Sequence, residues 1–152
     1  MSASAIRTAI VTRLNAVPNI GVVQPYERYA LKMDQLKALY VADGQLRGWF
    51  VRREKIREIG KIQPRSVEYI RWRIQGLMAL DDAGETELAF DNLVEAVRDA
   101  FRGDDTLSGT VAQCSLPDGS AAGIQLDDAG PVMFAGVLCH GARLALNTVR
   151  YL

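Results

Sequence analysis

Cys139 and His140 are adjacent near the end of the chain, and a thiol beside an imidazole is the pairing from which nucleophilic catalysis is often built. In an extended strand, though, neighbouring side chains point to opposite faces, so this spacing keeps sulfur and ring apart. His140 is the only histidine. On strand alternation it shares a face with Leu138, Leu144 and Leu146, which predicts a satisfied, partly buried ring rather than a metal ligand or general base. Three acidic doublets, Asp81-Asp82, Asp104-Asp105 and Asp127-Asp128, carry the side chains that a metal-dependent nuclease needs. Each lies beside a glycine, where short carboxylates bond to turn backbone, so solvated turns are expected. The glycines form no phosphate-cradling pattern ending in Gly-Lys-Ser/Thr. Catalytic, cofactor-binding and metal residues are therefore read as none, and the chain is read as a non-enzyme that needs no cofactor.

The one local concentration of binding-type residues is basic. Arg47, Arg52, Arg53, Lys55, Arg57, Lys61 and Arg65 are followed by Arg71 and Arg73, with Trp49 and Tyr69 interleaved. Arginine and aromatic enrichment suits a protein–protein surface, and the same strip suits nucleic acid. Glu54, Glu58 and Glu68 dilute it, and a solvated strand face is the third reading. The candidate interface comprises Arg52, Arg53, Lys55, Arg57, Arg65, Tyr69, Arg71 and Arg73, where guanidiniums can grip carboxylates of a neighbouring subunit bidentately. Changing Arg71 and Arg73 together to Glu is expected to leave the fold intact and to impair assembly.

A chain of 152 residues fits one domain, 1–152, that buries roughly 70% of its unfolded surface. Eighteen basic residues balance eighteen acidic ones, so no global field draws it to nucleic acid or membrane. The two cysteines, Cys114 and Cys139, lack metal-ligand spacing and read as reduced, buried thiols of a protein made in a cytoplasm. The N-terminal residues lack the pattern of a signal peptide, and no apolar run reaches membrane-spanning length.

Ile6, Ala9, Ile10, Arg13, Leu14 and Val17 recur at helical spacing, with Ser4 as a possible cap. Ile20–Tyr26 reads as a short edge strand ended by proline, and Met33–Tyr40 as a brief helix closing at the Asp43-Gly44 turn. Leu46–Ile59 and Val67–Leu80 read as a hairpin joined by a basic connection. In its second strand Ile70, Trp72, Ile74, Gly76 and Met78 face the core while Tyr69, Arg71, Arg73 and Gln75 face away. The crowded charge of the first strand predicts an outer half that projects as an arm. Leu88, Phe90, Leu93, Val94, Val97 and Phe101 define a strong amphipathic helix, capped by Thr86 and closed by Gly103. Three strands follow: Thr110–Leu116, Gly123–Leu126, and a long one from Pro131 after an Asp127–Pro131 turn. The expected class is α+β, a mainly antiparallel sheet with two principal helices on one face and a projecting β-hairpin arm.

The opening helix Ala5–Leu14 followed by a short strand, the Trp72-Arg-Ile-Gln75 strand leading into an acidic break and long helix, and the closing His140–Leu146 strand resemble the tail terminator (tail completion) proteins of long-tailed bacteriophages, of the lambda minor-tail and Mu-like type. The likeness is one of element order across nearly the whole chain; the stretch Ala30–Asp43 falls outside it. The resemblance implies a homo-oligomeric ring, expected to be a hexamer, that caps the tail tube and stops its polymerisation. Its implied partners are the tail tube protein and the head-completion or neck proteins, with genomic DNA passing through the ring and no membrane. The implied location is the virion tail or neck after assembly in the bacterial cytoplasm. The termini and the loops Asp81–Glu85 and Asp127–Pro131 are the expected tube or neck contacts. Another neck or head–tail joining protein, or a tube subunit, is the nearest alternative, and a small DNA-binding protein using residues 47–73 is the second.

Overall fold

Ile6, Ile10 and Leu14 form the buried stripe of α1, Ala3–Asn15. Its cap is Ser2, whose hydroxyl accepts from the Ala5 amide, and the expected cap Ser4 lies inside the helix. There follow β1 (Val22–Gln24), the short α2 (Met33–Ala38), β2 (Val41–Ala42), β3 (Gln45–Gly60), β4 (Ser66–Ala79), a 3₁₀ turn (Asp82–Gly84), α3 (Thr86–Ala100), β5 (Ile124–Phe134) and β6 (Val137–Tyr151). The structure is a computed structural model that describes residues 2–60 and 66–152. The expected basic connection, with Lys61 and Arg65, lies outside the described residues.

The architecture is α+β. A six-stranded, mainly antiparallel sheet runs in the order β1-β3-β4-β6-β5, with β2 paired to β3 at its start. Only β1, at the edge, pairs in parallel among these strands. Both principal helices cover one face: Ile6, Ile10, Leu14, Phe90, Leu93 and Val97 pack on Trp49, Ile74, Trp72, Leu144 and Leu146. The predicted alternation of β4 is what delivers this, since Ile70, Trp72 and Ile74 are buried on that side. The opposite face carries a smaller cluster of Tyr40, Leu46, Phe50, Leu77 and Cys139, under the stretch that the family likeness leaves unplaced. Two glycines admit these aromatics. A Cβ at Gly76 would lie 2.5 Å from the Trp49 ring, and one at Gly48 would lie 2.6 Å from Tyr40.

Several boundaries differ from the sequence expectation. Thr86 is the first residue of α3 rather than its cap; Glu85 precedes it in a left-handed conformation (φ 54°) with no side-chain cap bond. Gly103 is not a left-handed cap either, because the helix closes at Phe101 in the right-handed region. Residues 110–116 form only isolated bridges, Gln113 to Val149 and Ser115 to Ala122. Asp127–Pro131 is not a turn but the middle of β5, and the reversal falls at Ala135-Gly136, whose φ values are 51° and 78°. That left-handed pair matches the right-handed twist of the flanking strands. Pro131 is tolerated because β5 is an edge strand.

The arm is present at the end of β3. Every residue from Arg52 to Gly60 is exposed, and β1 borders β3 only as far as Phe50. It is not an isolated hairpin, because β6 stays paired to β4 out to Val67 and Tyr151.

Candidate functional site

Two β-bulges shape the central part of the sheet's second face. The register of β3 on β4 slips between Arg53 and Lys55, and that of β5 on β6 slips between Leu126 and Asp128. The extra residue is Glu54 in one case and Asp127 in the other. A bulge re-aims the side chain it carries, and here both carboxylates converge on Arg71 and Arg73 of β4. One Arg73 nitrogen lies 3.1 Å from each Glu54 oxygen; the other donates to Asp127 at 3.0 Å and to the Leu144 carbonyl at 3.3 Å. Arg71 donates to Glu54 at 3.2 Å and also pairs with Asp127. Burial pushes the Glu54 carboxyl up, and the Arg73 and Arg71 guanidiniums more than reverse this, leaving its pKa below the ordinary value.

This cluster corrects the reading of Arg73 as part of an outward partner surface, whereas Arg71 shares the same carboxylates with a side chain still 35% exposed. Arg73 is only 7% exposed and its fork is spent on this chain's own β3 and β5. Glu at both positions would bring four carboxylates together, so the double substitution attacks the fold itself. Glu54 and Asp127 were the residues missed. Nothing in a run of mixed charge reveals which carboxylate a bulge will turn onto an arginine.

The remaining candidates spread along the arm. Arg52 pairs with Glu27 at 3.2 Å, and the Arg57 guanidinium lies 5.1 Å from the centre of the half-buried Tyr69 ring. Arg53 stands opposite Trp72 and Lys55 opposite Arg71, both exposed. Arg65 lies outside the described residues. The strip is thus broken into neutralised and free parts, rather than a continuous basic surface.

His140 lies on the helix side, as alternation predicted. Its ring stacks on Phe90 with centroids 6.0 Å apart, and its Nε2 is 2.8 Å from the Thr86 hydroxyl, which also bridges to the Asp81 backbone. Cys139 points to the other face and is fully buried. Burial pushes its thiol up to about 11 and that of Cys114 up to about 12, which suppresses the reactive thiolate. The doublets divide by role. Asp81 caps the Gly84 amide, Asp104 accepts from Thr106, Ser108 and Arg13, and Asp105 accepts from the Cys114 amide. Among the described residues, no group of three His, Cys, Asp or Glu side chains is arranged to hold a metal ion. No helix among them is long and apolar enough to cross a membrane.

No protein-family model matches this chain, and no curated protein matches it.

Proposed function

We propose that this chain is a structural protein of a long-tailed bacteriophage particle, a tail terminator whose copies form a ring, a hexamer in this reading, on the last ring of the tail tube. There it stops polymerisation and offers a surface to head-completion or neck proteins, and the genome passes through its centre. The observation that carries the reading is the outer half of β3: a strand exposed from Arg52 to Gly60, backed by β4 and β6. Such an unpaired edge invites contact with another chain and serves a monomer poorly. The sheet with both principal helices on one face, in the order described, supports the family likeness on which the particular role rests.

The DNA-binding reading is weakened by Arg71 and Arg73, whose charge is met by Glu54 and Asp127. Imaging purified particles by cryo-electron microscopy tests the proposal. Density for this chain in a sixfold ring between tube and neck is expected. Density along the tube or in another part of the neck assigns it to those components instead, and absence from the particle overturns the virion role.

A further inference from the structure

A cleft on the helix side of the sheet carries an arginine that this chain leaves almost unused. It encloses about 500 Å³ between β3, β4, α3 and the loop after α1, and Arg47 is the one charged residue among those described at its border. The loop presses on the stem of that arginine. A Cβ at Gly21 would lie 2.2 Å from the Arg47 carbonyl oxygen and 2.9 Å from its Cγ, so this approach, at φ 86°, needs glycine. The Arg47 side chain is 18% exposed, yet its guanidinium makes one hydrogen bond, at 3.3 Å to the Gln45 amide oxygen. Its ion pair is loose: 3.7 Å to Asp43, whose side chain is 96% exposed. The Arg47 Nε is buried without a partner. Comparably buried arginines are spent, since Arg13, Arg73 and Arg150, with side chains 15%, 9% and 15% exposed, each hold a carboxylate at 3.2 Å or less.

A guanidinium largely withdrawn from water and left underpaired is costly, and an incoming anion offsets that cost. Its planar fork matches the two oxygens of a carboxylate. The cleft also selects what the anion is attached to. Met78 and Leu93 give it apolar wall, and Asn19 and Asn92 stand exposed at its rim, with side-chain amides that bond to nothing among the described residues. One positive charge among neutral amides suits a single negative charge better than a phosphate dianion, and the volume is that of a site for a small organic molecule. We propose that this cleft binds a small monocarboxylic acid, with its carboxylate on Arg47 and its apolar stem on Met78 and Leu93. The site stands apart from the ring reading and does not depend on it.

NMR titration of the full, isotope-labelled chain with hydrocinnamate tests it, with the neutral isostere hydrocinnamamide and inorganic phosphate as comparisons. Saturable shifts are expected at the Asn19, Gln45 and Asn92 side-chain amides, with a Kd of about 5 mM or tighter, as suits a ligand of this size. Hydrocinnamamide and phosphate are each expected to bind at least about tenfold more weakly, because only the carboxylate matches the fork in both charge and shape. Arg47→Gln should lose at least about tenfold in affinity and Arg47→Lys should fall between it and wild type, with circular dichroism reporting the fold of each. The comparison with hydrocinnamamide uses wild-type protein, so it decides the matter even where a variant unfolds. Absence of a saturable shift at these amides by about 50 mM ligand overturns the proposal. Equal binding of hydrocinnamamide or phosphate, or of hydrocinnamate by a folded Arg47→Gln chain, overturns it as well, and so do shifts confined to the outer half of β3. A glutamate-bearing peptide that binds here while hydrocinnamate does not gives the cleft to a protein partner and overturns the small-molecule assignment.

Discussion

Arg73 holds two carboxylates that come from different strands, so its loss leaves Glu54 and Asp127 to Arg71 alone. Removing one partner of a fully buried pair costs several kcal/mol, and because both carboxylates here are about one-third exposed, Arg73→Ala is expected to cost about 2 kcal/mol in urea unfolding. Arg73→Lys should recover only part of this, since an ammonium cannot reproduce the fork. The same cluster sets a pH dependence. The Glu54 pKa is depressed below its ordinary 4.5, so its stabilisation is present above that value and is lost as pH falls through the folded value. The stability gap between wild type and Glu54→Gln should therefore stay constant from neutral pH down to about 5 and narrow below that, when the protonated acid resembles the amide. Cys114 and Cys139, with thiols pushed up to about 12 and about 11, should resist a disulfide reagent in the native state and react promptly in denaturant. Rapid native labelling at neutral pH would contradict their burial.

At the scale of elements, the close approaches at glycine decide how the layers sit. Gly76→Ala drives a methyl into the Trp49 ring, and overpacking of this kind is expected to lower stability by about 1–3 kcal/mol, measured by thermal or urea denaturation. The same sheet shows what sequence patterning carries. β4 and α3 were legible because most of their apolar residues follow periods of 2 and 3.6, although Leu88 of the expected α3 stripe is exposed and Leu77 of β4 packs on the other face. β5 was not, because Asp127-Asp-Ala-Gly-Pro131 has turn composition, and only its place at a bulged edge lets it run as strand. The Ala135-Gly136 reversal was likewise hidden inside an apolar run that reads as one strand. Arg71 and Arg73 looked alike by alternation, and their inward role depends on register slips in two other strands. Such slips arise from pairing between distant segments, which no local pattern encodes.

For the whole molecule, zero net charge conceals an exposed outer half of β3 on which Arg52, Arg53, Lys55 and Arg57 outnumber Glu54 and Glu58. Self-association through that strand edge should weaken between about 50 mM and 500 mM salt, because the Debye length contracts to a few ångströms over that range. Sedimentation at the two concentrations measures it; assembly indifferent to salt would point to an apolar contact instead. The course of β4 adds a consequence of another kind. It is bonded to β3 on one side and β6 on the other along nearly its full length, with ladder bonds perpendicular to the strands. A molecule gripped at its arm and at the opposite end of β4 is pulled in shear, so the bonds of both ladders share the load at once instead of opening one after another. That makes each copy stiff along the direction in which its two ends would transmit tension.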